Sequence, residues 1–288
     1  MSSFTKGVLT MICSSIIFAI MAGLIRYADN IDATKTTLFR FAIGMAILAT
    51  LAITKTIDLQ CVRSPLLILR GIIGGITIFL FYLAINKVGI AKGTILIYSA
   101  PIFAAVIANI FLKEKMPRLA WFMIILAFLG MTMVIGEGRG NIWQGIGIFD
   151  ALAILGALCS AVATTIIRVL RRSDTSFAIF LAQCTFGFWI VLIPATINPI
   201  DLGFISGVLL LAIGLTAAAG QILMTYAYKH VTVAQGGILG MLVPVFSSLI
   251  GLLIFQEQIA WTGWLGIAII IVSATTLLKL REAVPVIT

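Results

Sequence analysis

The chain has 288 residues, of which 61% are hydrophobic and only 10% charged, and its mean hydropathy is +1.20. Soluble domains are roughly 45–50% apolar and about 25% charged, so a water-soluble globule is excluded, because it would leave large apolar patches in contact with water. The formal charge of +9 does not mark a nucleic-acid binder, since the basic residues fall singly or in short groups between apolar runs rather than on one solvated face.

Crossing a ~30 Å hydrocarbon core takes about 20 apolar residues, and runs of that length predict ten spans, at 6–26, 34–54, 65–86, 91–112, 119–136, 145–168, 175–197, 204–228, 232–255 and 261–280. The first span lacks a cleavage site and is expected to be retained. It carries Ser14 and Ser15 and ends at Arg26, while the second holds Arg40 two turns inside its outer end. The third ends with Tyr82. The fourth contains Tyr98 and, near its middle, Pro101, and is followed by Glu114. The sixth carries Asp150 and Thr164, the eighth Gln221 and Tyr228, and the ninth Pro244 near its middle with Glu257 beyond its end. Cys13, Cys61, Cys159 and Cys184 have no paired spacing, so no disulfide or metal site is expected.

Lysine and arginine concentrate in alternate connections. Lys6, Lys55, Arg63, Arg70, Lys113, Lys115, Arg118, Arg168, Arg171, Arg172, Lys229, Lys279 and Arg281 fall on one side, against Arg26, Lys35, Lys87, Lys92 and Arg139 on the other. The excess of cations on the cytoplasmic side then places both termini in the cytoplasm.

An internal repeat fixes the expected architecture. Residues 84–121 lie over 227–264 without a gap, pairing Gly93 with Gly236, Pro101 with Pro244, Glu114 with Glu257 and Trp121 with Trp264. The same register carries Gly44 onto Gly187. Two five-helix units follow, 1–140 and 141–288, and an odd helix number makes the second enter the membrane from the opposite side.

The Arg40-Phe41 pair, the Tyr82-x-Ala84 ending, the stretch Ala91-x-Gly93 through Pro101 to Glu114, and the second copy with Tyr226-Ala227, Ala234-x-Gly236, Pro244 and Glu257 resemble the drug/metabolite transporter superfamily, in its form with two EamA-type domains. The resemblance covers nearly the whole chain. It implies an all-α, multi-pass protein of the cytoplasmic (inner) membrane. Its expected activity is that of a secondary transporter moving a small metabolite, such as an amino acid, a nucleotide-like or cofactor-like solute or a drug, by alternating access.

Each proline removes a backbone hydrogen bond in mid-span, from the carbonyls of Ile97 and Gly240. Such breaks are tolerated where the backbone lines a cavity, although a packing kink reads the same way in sequence. Tyr98, Gln221, Ser14, Ser15, Tyr82, Thr164, Tyr228 and Arg40 are the candidate cavity residues; each can equally serve as a hydrogen-bonding contact between helices or as an interfacial anchor. Glu114, Glu257 and Asp150 are candidate gate or coupling groups. No Walker-type loop, clustered acids or histidine set supports ATP use, a metal site, a cofactor or catalysis: His230 is the sole histidine. The expected partners are the bilayer and a small-molecule substrate, without nucleic acid, in a monomer or homodimer. A lipid-linked substrate flippase and a non-transporting scaffold are the alternative functions.

Overall fold

The computed structural model describes residues 2–28, 31–57, 64–88, 90–114, 116–136, 147–197 and 203–280. Helices are the regular elements there, as a backbone in hydrocarbon requires, because each N–H and C=O must find its partner within its own segment. In order they are α1 (Ser3–Tyr27), α2 (Ala33–Ile53), α3 (Pro65–Val88), α4 (Ile90–Ile97), α5 (Ala100–Phe111), α6 (Arg118–Ile135), α7 (Ile148–Leu170), α8 (Ser176–Thr196), α9 (Phe204–Ala227), α10 (Val233–Gly240), α11 (Leu242–Ile254) and α12 (Trp261–Lys279). Side-chain caps start several of them. Ser2 accepts from the Thr5 N–H, Asp32 from Thr34 and Thr175 from Ala178, while Thr232 and Gln235 form a reciprocal capping box on α10.

Each expected apolar run coincides with helix. Among the described residues nine stretches are long and apolar enough to cross a membrane, and α3 contains a shorter apolar stretch, Pro65–Phe81, within its 24 residues. The fourth and ninth runs are each two helices, α4 with α5 and α10 with α11, divided just before Pro101 and Pro244. This is the chemistry of a missing N–H, expressed at equivalent points of the two halves.

Two helical groups result, each mixing both halves of the sequence. In one, α1 packs against α9, α10 and α11; in the other, α7 packs against α3, α4 and α5. The pairs α2–α8 and α6–α12 cross between halves at the flanks. Small residues let these pairs approach: a Cβ on Gly266 would lie 2.5 Å from the Gly130 carbonyl oxygen, and one on Gly130 2.8 Å from that of Gly266.

The start of α1 and the end of α12 share one end of the bundle. Ser3 Oγ lies 2.7 Å from His230 Nδ1 in the α9–α10 link, and Leu277 and Leu280 line a small cavity with Met116, Pro117 and Thr232. This end is called proximal below, and the opposite one distal.

Candidate functional site

The two broken helices meet at the bundle centre. α5 packs along α10, and a Cβ added to Gly237 would stand 3.0 Å from Pro101 Cβ, so the proline of one half lies on the backbone of the other. The corresponding outer halves, α4 and α11, have no comparable packing among the described residues. A Cβ on Gly240, just before the second break, would meet nothing within 4 Å. The breaks therefore close together on the proximal side, and Gly240, beside the second of them, borders open space.

Local hydroxyls complete the backbone around these breaks. Ser99 Oγ donates to the Leu96 carbonyl at 2.6 Å, and Ser15 Oγ donates to Leu239 at 3.1 Å and to Met11 at 3.0 Å. Ser15 thus ties α1 to the end of α10. Ser14 Oγ is spent on the Gly220 carbonyl at 2.7 Å, next to the buried Gln221, and Thr164 Oγ on Ser160 of its own helix at 2.8 Å. Tyr98 is half-buried one turn before Pro101. Tyr82 lies in α3, and its side chain falls outside the described residues. Arg40 is half-buried on α2, away from the breaks. Arg70, counted from the sequence among the cytoplasmic-side cations, is buried in α3 five residues after Pro65, with Nη2 donating to Gln183 Oε1 at 2.9 Å.

Asp150 has its partner already. Its Oδ2 accepts from the Gly147 N–H at 2.7 Å, capping α7, and Oδ1 lies 2.7 Å from Lys92 Nζ on α4. Glu114 also has a partner, one that hydropathy did not reveal: its Oε1 lies 3.5 Å from Arg168 Nε, and its Oε2 accepts from the Val233 N–H at 3.1 Å. Arg168 Nη1 donates onward to the carbonyls of Tyr228 at 2.7 Å and Lys229 at 2.9 Å. Tyr228 itself is buried at the C-terminus of α9, its ring against Gly236. Burial raises the Glu114 carboxyl above the ordinary carboxylate range, against lowering by Arg168 and the Val233 N–H.

A second carboxylate–arginine pair, Glu257 with Arg26, occupies the distal end, where Arg26 also lies 4.7 Å from the Phe255 ring centre. It is far more open. The Arg26 and Glu257 side chains are 52% and 42% exposed, against 9% and 3% for Arg168 and Glu114.

The EamA-like transporter family model matches residues 5–136 and 147–279, nearly the whole chain in two copies. The chain belongs to the EamA-like transporter family. Relatives include the pseudopaline exporter CntI of Pseudomonas aeruginosa, 27% identical over 78% of this chain and 79% of its own length. Solute carrier family 35 member G1 of Mus musculus is 23% identical over 93% of this chain and 77% of that protein. A riboflavin transporter of Vibrio cholerae is 27% identical over 45% of this chain and 46% of its own. A solved crystal structure superposes with a TM-score of 0.82 at 15% identity, covering 96% of this chain and 98% of that one, a likeness of fold. The family relationship makes this a multi-pass membrane protein of small-solute transport.

Proposed function

We propose that the chain is a secondary transporter that carries a small metabolite across the cytoplasmic membrane by alternating access, through a cleft between two inverted five-helix repeats, 1–140 and 141–288. The proximal end faces the cytoplasm, as the distribution of lysine and arginine directs, and both termini lie there. The arrangement described is the state open to the outside. The observation that carries this reading is the unequal packing of corresponding half-helices: α5 lies against α10, whereas α4 and α11 have no comparable packing among the described residues.

Two repeats of opposite orientation need only exchange conformations to reverse that inequality. On this reading the Ile97 and Gly240 carbonyls, to which Pro101 and Pro244 offer no N–H, line the cleft together with Tyr98 and Gln221 and supply uncharged polar groups for a solute. Relatives named for export of pseudopaline and for transport of riboflavin support a small-solute cargo.

A thermal-shift screen of the purified protein tests this, with amino acids, nucleosides, flavins and organic carboxylates as probes, because a ligand that binds only the folded state raises its apparent stability. A compound that stabilises the protein, and whose effect disappears in Gly240→Trp, places the ligand at the break, since a Cβ at Gly240 meets nothing within 4 Å. A stabilising compound unaffected by Gly240→Trp, Tyr98→Phe and Gln221→Ala would overturn the central cleft as the site.

A further inference from the structure

The two carboxylate–arginine pairs occupy corresponding places in the repeats. Glu114 aligns with Glu257, and Arg168 aligns within one residue of Arg26 in the same register. Their turns are also built alike. Lys113 and Gln256, the residues just before the two glutamates, both take a φ of 54°, an uncommon conformation for side chains other than glycine. The Glu114 N–H then bonds the Ala108 carbonyl at 3.3 Å, and the Glu257 N–H the equivalent Gly251 carbonyl at 3.1 Å. Each carboxylate is thus presented by the same strained turn at the end of a broken helix.

The proximal pair joins the two helical groups. Glu114 and Arg168 belong to the group of α5 and α7, whereas what they hold, the Tyr228 and Lys229 carbonyls and the Val233 N–H, belongs to the group of α9 and α10. The chemistry is matched on both prongs. A guanidinium meets carbonyls at the C-terminal, partially negative end of α9, and a carboxylate meets an N–H at the N-terminal, partially positive end of α10.

By the same register, the distal pair has a corresponding seat in the opposite group: the last carbonyls of α3 and the Ile90 N–H that opens α4. In this structure the pair is exposed, with Arg26 over Phe255.

We propose that Glu114–Arg168 and Glu257–Arg26 are paired latches of the transport cycle. Each remains a pre-formed plug on its own helical group, and the two are seated in alternation: the proximal latch on the α9–α10 junction in the outward-open state, the distal latch on the α3–α4 junction in the inward-open state. This rests on the alternating-access reading and adds to it the groups that hold each closed end. Both seats are built from helix ends of opposite partial charge rather than from countercharges, so an unseated plug keeps its own ion pair and strands no lone charge.

Labelling of a single cysteine tests the proposal without a known substrate. Gly240→Cys, with the four native cysteines changed to alanine, is exposed to a membrane-impermeant maleimide in intact cells and in inverted vesicles. Removing the charge of one latch while keeping its shape is expected to shift the two labelling rates in opposite senses. Glu114→Gln raises cytoplasmic-side labelling about tenfold, and Glu257→Gln lowers it about tenfold, the scale of losing one charge-assisted hydrogen bond. Should Glu114→Gln not fold, the exposed Glu257→Gln decides alone. Labelling that responds to neither variant, or that moves the same way in both, overturns the latches while leaving the cleft standing. A cysteine reached from neither side in any variant overturns alternating access at this cleft, and the latches with it.

Discussion

At the proximal end, Glu114 and Arg168 are buried and join two helical groups; at the distal end, Glu257 and Arg26 form the same kind of pair half exposed, both on the group of α1 and α11. Two ion pairs with the same residue types, in the same repeat register, should therefore differ sharply in what they contribute. Burial sets the difference. An exposed pair gains little from its Coulomb attraction, with a median of about 0–1 kcal/mol, whereas removing one partner of a buried pair leaves an uncompensated charge and costs about 3–5 kcal/mol.

Arg168→Ala should thus lower stability by about 3–5 kcal/mol, read as a fall in the midpoint of denaturant unfolding in detergent. Arg26→Ala should cost no more than about 1 kcal/mol in the same assay. Equal losses from the two variants would erase the distinction between the ends.

Smaller effects are expected at the centre. Gly237→Ala puts a Cβ 3.0 Å from Pro101, and such overpacking costs about 1–3 kcal/mol. Gly240→Ala enters open space and should leave the unfolding midpoint nearly unchanged. A large loss from Gly240→Ala would mean that the space beside the break is filled.

The smallest effect is a dependence on pH at the proximal end. Burial, followed by the nearby Lys229, Arg171, Arg168 and Lys6 charges, lowers the His230 pKa below its ordinary value. A depressed pKa means that the neutral form is favoured by folding. The contribution is present above the unfolded-state pKa of about 6.5 and is lost as pH falls through the folded-state value. Melting temperature should drop on acidification across that window, and His230→Gln should flatten the drop; an unchanged slope would remove His230 from the account.

Run lengths of apolar residues placed the helices, since crossing hydrocarbon leaves few other options, and the shared Gly, Pro and Glu positions revealed the two matching halves. The proline breaks were legible too, because a missing N–H acts locally. Side-chain pairing was not. Arg168 read as one more topology-setting cation at a span end, and its burial depends on which way α7 faces, a rotation that a uniformly apolar helix does not encode in its hydropathy. One signal was available: an arginine recurs within one residue of the repeat register, just as the glutamates recur. Asp150 read as a candidate gate or coupling group for a similar reason, since Lys92 reaches it only through the packing of α4 on α7. Ser14 and Thr164 were legible as polar groups, but their acceptors, a carbonyl of α9 and one of their own helix, follow from packing and rotamer.

Two distances, measured by pulsed electron resonance on spin labels in lipid, report the closure of the two ends. One pair spans the proximal end, at Ser173 and Lys229, and the other the distal end, at Tyr27 and Lys87; all four residues are exposed. With the latches intact, a short proximal and a long distal separation are expected, and in Glu114→Gln a new population in which the proximal distance lengthens while the distal one shortens. Distances that change together at both ends, or at neither, would contradict the alternation of the latches.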